Sequence, residues 1–198
     1  MFARFNAIFS PTEADTVLDV GVTSDTLQLE SNYFEQAYPF PHRITCVGTE
    51  DGAHLIERFP GLSYQRVRSG QPLPFKTGQF DIVFSNAVLE HVGNRQMQAA
   101  FLDELQRVCR RGFFVTTPNR WFPIEHHTGL PLLHYLPIRV FRRILKQSGY
   151  GYWADEQNLN PLSVSDLQRI LPANASIEKI MLFGATSNLI GYLRRSAS

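Results

Sequence analysis

Five short strand-like runs, most followed by room for a helix, and then two runs with only a turn between them: this order constrains the chain most. Thr16–Val20, Ile44–Gly48, Tyr64–Val67, Asp81–Ser85 and Phe113–Thr117 read as strands. Helical segments are expected at 26–38, 53–59 and 96–109, the last with Phe101, Leu102, Leu105 and Val108 at helical spacing. Strands separated by helices build a doubly wound parallel sheet. The rhythm then breaks. Ile177–Phe183 and Asn188–Leu193 are joined by a short turn containing Gly184, and a join that short makes only an antiparallel pair. The expected fold is α/β, a seven-stranded sheet that is mostly parallel and closes with an antiparallel C-terminal hairpin.

The 198 residues suit one domain, 1–198, with a substrate-region insertion at about 119–165. A net charge of +1 carries no basic footprint for a nucleic-acid partner. Cys46 and Cys109 lie outside any Cys-x-x-Cys pair and read as buried small hydrophobes in a reducing compartment. The N-terminus lacks the apolar core of a signal peptide, and no run reaches the roughly 20 apolar residues of a membrane span. The expectation is a cytoplasmic protein with no integral membrane segment.

Ligands of open α/β sheets bind beyond the carboxyl ends of the strands. Those ends present Asp19–Asp25, Glu50, Ser69 and the Ser85–His91 stretch, Asn86 included. Leu73-Pro74-Phe75 followed by Phe80-Asp81-Ile82-Val83 and Leu89-Glu90-His91-Val92 closely resembles the fourth-strand region of class I S-adenosylmethionine (SAM)-dependent methyltransferases. Asp19 and Gly21 match that family's first-strand motif, and Val47-Gly48-Thr49-Glu50 resembles its second-strand motif with Glu in place of Asp. The resemblance implies a Rossmann-like fold and SAM as cofactor. It implies Glu50 on the ribose hydroxyls and Ser69 on the adenine amino group, with Gly70, Gln71 and Leu73 along the adenine. Asp19, Gly21, Thr23 and Asn86 complete the cofactor set. Thr23 and Asp25 stand where the family carries glycines, and Ser69 where it often carries Asp. Those departures motivate the alternative, a non-catalytic binding module on a degenerate version of the fold. A nicotinamide oxidoreductase fits less well, because a pyrophosphate needs a Gly-rich helix N-terminus and Asp25 would repel it.

A methyl acceptor needs a base only where it must lose a proton to become nucleophilic. His91 is one candidate. The others lie in the long stretch after the fifth strand: Glu125, His126 and His127, with Trp121 as a wall of the acceptor pocket. A small-molecule or glycan- or lipid-linked acceptor is expected. No metal is expected, since adjacent histidines are poor co-ligands on one regular element and no H-E-x-x-H occurs. His134 reads as a core histidine. The 137–149 helix carries Arg139, Arg142, Arg143 and Lys146 opposite Val140, Phe141, Ile144 and Leu145, which allows at most weak peripheral membrane contact.

Overall fold

The computed structural model describes residues 1–25 and 31–195. Its strands are β1 (Val17–Val20), β2 (Ile44–Gly48), β3 (Ser63–Arg66), β4 (Phe80–Asn86), β5 (Cys109–Pro118), β6 (Ser176–Leu182) and β7 (Ala185–Arg194). They form one seven-stranded sheet in the order β3-β2-β1-β4-β5-β7-β6. Its helices are α1 (Phe2–Phe9), α2 (Tyr33–Ala37), α3 (Ala53–Arg58), α4 (Arg95–Val108), α5 (Ile138–Gln147) and α6 (Val164–Ile170). No helix among the described residues is long and apolar enough to cross a membrane.

Two compact units make up the chain. Met1–Asn86, Asp103–Phe114 and the residues from Leu193 form the first. Here β1 lies between β2 and β4, parallel to both, so that Asp19 faces Cys46 on one side and Phe84 on the other. The strand order reverses at β1, and such a switch point opens a crevice at the carboxyl ends of the strands. All four residues of β1 are buried, which is the pattern of a strand covered on both faces. On one face α1 delivers Phe5 and Phe9 into an aromatic core. The Phe5 ring meets Phe34, Phe84 and Phe114 edge-on at 5.1, 5.5 and 5.8 Å. Phe2, Phe5 and Phe9 recur at helical spacing, a periodicity the sequence reading left unused. The helix expected at 26–38 is seen only as α2 at its C-terminal part; 26–30 lie outside the described residues.

The Leu73-Pro74-Phe75 turn is braced by α4. Glu104 accepts the Leu73 N–H at 3.0 Å, and Arg107 donates to the carbonyls of Phe75 and Leu73 at 2.8 and 3.0 Å. A Glu three residues before Arg on one helix face explains how both reach the same turn.

Ala87–Leu102 and Val115–Tyr192 form the second unit. The hairpin β6–β7 is antiparallel with an irregularity at Ile180/Met181. Phe141 and Leu145 of α5 are buried against Ala154, with Leu133, Tyr150 and Trp153 around them, while Val140 stays exposed. The sequence reading put Val140 on the buried face; α5 instead buries the Phe141–Leu145 stripe. α6, not foreseen from the sequence, starts at a capping box in which Ser163 and Asp166 serve each other's backbone N–H.

Candidate active site

In the first unit, Asp19, Gly21, Thr23, Tyr33, Glu35 and Asn86 are among the residues lining a cavity of about 110 Å³ floored by Phe34 and Phe84. Asp19 and Glu35 are both buried. Burial and the neighbouring Glu35 carboxyl raise the Asp19 pKa well above the ordinary range, and burial raises Glu35 as well. Two carboxyls sharing a site cannot both ionise cheaply. The buried Tyr33 hydroxyl has no hydrogen-bond partner among the described residues, and its pKa is pushed up by burial and both acids.

The turn after β1 is built without the missing glycines. Gly21 holds a positive φ of 97° and donates its N–H to the Val47 carbonyl at 2.8 Å. Asn32 then ties down Thr23, accepting its N–H at 3.2 Å and donating to its carbonyl at 2.9 Å. Gly48 is required at the end of β2, where an added Cβ would meet the Val22 carbonyl oxygen at 2.7 Å. Glu50 is largely exposed, and its Oε2 accepts from both the N–H and the hydroxyl of Ser24. Those bonds hold its carboxyl below the usual range. Ser69 lines a separate, open hollow of about 650 Å³ with Thr49, Arg66, Val67 and Arg68. Gly70 takes a positive φ of 74° in the exposed turn beside it.

In the second unit the structure brings His91 and His127 together, with 3.0 Å between their Nε2 atoms. Each ring is oriented from behind. His91 Nδ1 donates to the Asn158 carbonyl at 2.6 Å, and His127 Nδ1 donates to Glu125 Oε1 at 2.9 Å. Glu125 is buried and also accepts the N–H and hydroxyl of Thr128 at 2.6 and 2.7 Å. Burial raises its pKa, but His127 and Thr128 outweigh that and hold it at about 2. For His127 burial works downward, and the carboxylates of Glu125 and Glu90 override it, leaving a raised pKa. Glu90 is buried with Oε2 on the Thr117 hydroxyl at 2.9 Å and Oε1 without a hydrogen-bond partner among the described residues. Burial raises its pKa.

The loop carrying Glu90 and His91 is clamped by Asn160, whose N–H donates to the Glu90 carbonyl at 2.7 Å, and by the buried Gln98. The remaining expected residues go elsewhere. His126 is exposed with its ring 5.2 Å from Phe122. Trp121 is 47% exposed and pairs with Arg120 and Tyr135. The aromatic wall beside the imidazoles is Trp153, at 5.0 Å from His127 and 5.9 Å from His91. His134 is a core histidine, with Nε2 donating to the Phe122 carbonyl at 2.7 Å. Sequence reasoning missed Glu35, Trp153, Thr117 and Asn158; a Glu in the middle of an apolar Tyr-Phe-x-x-Ala helix was the one local signal.

A family model described as a methyltransferase domain matches residues 18–116, half of the chain. The chain belongs to this family. Among solved structures the methyltransferase is similar to the YcgJ protein of Bacillus subtilis, with a TM-score of 0.62 at 12% identity over 99% of this chain and 98% of that one. It is similar also to a SAM-dependent methyltransferase of Mesorhizobium loti, TM-score 0.61 at 13% identity over 98% of each chain. A third is the 1,6-didemethyltoxoflavin N1-methyltransferase of Burkholderia thailandensis, solved with that substrate and S-adenosylhomocysteine (TM-score 0.61, 15% identity, 98% of this chain and 76% of that one). At these identities the likeness is one of fold. No curated protein sequence matches the chain. Family and sheet order together make the protein a SAM-dependent methyltransferase.

Proposed function

We propose that this methyltransferase moves a methyl group from SAM to a small-molecule or glycan- or lipid-linked acceptor by in-line displacement. The observation that carries the reading is the buried acid pair Asp19–Glu35 on the cavity wall at the carboxyl ends of β1 and β4. SAM supplies an electrophilic methyl on a cationic sulfur and brings a second cation, its ammonium. A wall of two buried carboxyls, with a Tyr33 hydroxyl that has no partner among the described residues beside them, suits such a ligand and opposes a pyrophosphate. The cavity is smaller than the roughly 300 Å³ usual for a whole ligand, so it is assigned to the amino-acid end alone. Glu50 and the hollow lined by Thr49 and Ser69 are assigned to the adenosine end, where Ser24 now stands in for the ribose hydroxyls on Glu50.

His91 and His127 are assigned to the acceptor, taking up the proton of a nucleophile that must lose one. Glu125 acts through His127 and is a positioning residue. Calorimetric titration with SAM and with S-adenosylhomocysteine tests the cofactor half. Saturable binding that weakens at least tenfold in Glu50→Ala is expected, and no binding by a folded sample would sink it. The Ser24–Glu50 and Asn32–Thr23 bonds favour a second reading, a degenerate module whose cofactor loop is filled by its own side chains. That reading requires the same titration to show no heat.

A further inference from the structure

The imidazole pair poses a problem that the acceptor role leaves unsolved. The Asn158 carbonyl and the Glu125 carboxylate only accept hydrogen bonds, so both Nδ1 atoms carry hydrogen and the Nε2 atoms are left to offer their lone pairs. Those lone pairs face each other across 3.0 Å, an arrangement that needs something positive between them. A shared proton answers that need but leaves Glu90 Oε1 at ion-pair distance only, 3.9 Å from His91 Nε2 and 4.0 Å from His127 Nε2. This oxygen belongs to a side chain only 1% exposed and has no hydrogen-bond partner among the described residues. A cation ligated by all three atoms satisfies every group at once.

We propose that Glu90 Oε1, His91 Nε2 and His127 Nε2 form a mononuclear site for a divalent cation of the zinc class, with one coordination position open. Two imidazoles and one carboxylate, with a fourth position for water or substrate, are a donor set that zinc takes in hydrolytic enzymes. Tetrahedral zinc spaces such donors about 3.3–3.4 Å apart, so the observed 3.0, 3.9 and 4.0 Å converge with movements well below an ångström. The outer shell is already in place. Thr117 holds the other oxygen of Glu90, while Asn158 and Glu125 orient the rings as carboxylate and carbonyl groups do behind metal-bound histidines. The His91 side chain is 33% exposed, which leaves an approach for a ligand. The sequence argument against a metal concerned the adjacent His126 and His127; these three groups come instead from two segments 36 residues apart. An ion here would acidify a bound hydroxyl and so replace an imidazole as the group that activates the acceptor. That role rests on the acceptor assignment above, whereas binding of the ion does not.

The test uses the full chain, stripped with a chelator and titrated with ZnCl₂ by calorimetry and with CoCl₂ by visible absorption. One equivalent is expected, with the intense visible bands of tetrahedral cobalt. His91→Ala and His127→Ala should each weaken zinc by more than about 100-fold, and Glu125→Gln by about 10–100-fold as an outer-shell change. His42→Ala, an exposed histidine beside Glu13, should change nothing. Because the buried Glu90 is the riskiest site to alter, the variant of the partly exposed His91 decides, with circular dichroism reporting its fold. No saturable binding, or undiminished binding in both histidine variants, would overturn the proposal. S-adenosylhomocysteine titrated into the same samples separates the two readings: zinc bound by a chain that ignores this ligand upholds the metal site and removes methyl transfer.

Discussion

At the scale of residues, Asp19 and Glu35 set the behaviour of the cofactor cavity. Burial and the facing carboxylate raise the Asp19 pKa above its unfolded value of about 3.9. A carboxyl raised in this way holds its proton into the range where the unfolded chain has lost it, and a cation beside it favours its release. SAM should therefore expel a proton on binding, and its affinity should rise with pH until the free pair is itself ionised. Calorimetry in two buffers of different ionisation enthalpy reads this directly. A buffer-independent heat with flat affinity would remove the acid pair from the site. Glu35→Gln should weaken SAM about tenfold, equivalent to about 1.4 kcal/mol, and flatten the pH dependence. Glu50 contrasts with this pair: it is exposed and ionised, so Glu50→Ala should cost affinity without a pH signature. Of the residues read from sequence, Asp19, Gly21, Thr23 and Asn86 line one cavity because strand ends and the turns after them are local features. His91 with His127 was legible only as two separate candidates. Which of two adjacent histidines turns inward depends on Glu125 capturing the N–H and ring of His127, a contact that sequence spacing does not encode.

At the scale of elements, β4 is pinned at its start. Asp81 Oδ2 accepts the N–H and hydroxyl of Thr16, both at 2.9 Å, and Oδ1 accepts from Arg110 Nε at 2.9 Å. Burial pushes the Asp81 carboxyl up, and the Thr16 and Arg110 bonds more than reverse it, holding it below its ordinary value. The stabilisation is then present above about pH 3.9 and lost as pH falls through the depressed folded pKa. Arg110 is 61% exposed and adds little through solvent, so the two Thr16 bonds supply most of the effect. Asp81→Ala should cost about 1–3 kcal/mol at pH 7, the usual penalty for stranding donors out of reach of water, here partly buried ones. That cost should shrink at a pH below the depressed folded pKa, where the carboxyl is neutral. Urea unfolding at the two pH values decides it, and an equal cost at both would assign the effect to packing instead. The strands were legible for a related reason: β1, β2 and β4 are buried almost throughout and so nearly continuous in apolar residues. The short helices α1 and α6 were not. The Phe2-Phe5-Phe9 stripe of α1 gains meaning only against Phe34, Phe84 and Phe114, which are far away in the chain.

At the scale of the whole molecule, that aromatic core joins stability to cofactor binding. Phe34 and Phe84 stack with ring centroids 4.0 Å apart, line the cavity with one set of atoms and meet Phe5 with another. Phe5 is fully buried. Phe5→Ala should therefore cost about 3–5 kcal/mol through lost contacts and the void left behind. For a chain of this size each kcal/mol lowers Tm by about 2–4 °C, so a fall of roughly 6–20 °C is expected in a thermal melt. The void also frees the rings beneath the cavity, so SAM affinity should drop although Phe5 lies outside the cavity lining. Ligand at 100 times its dissociation constant returns about 2.7 kcal/mol by mass action, whatever that constant is. SAM at that saturation should thus recover more than half of a 4 kcal/mol loss. A variant that melts early yet binds SAM like the parent would show that Phe5 supports the fold alone and that the floor of the cavity holds its shape without it.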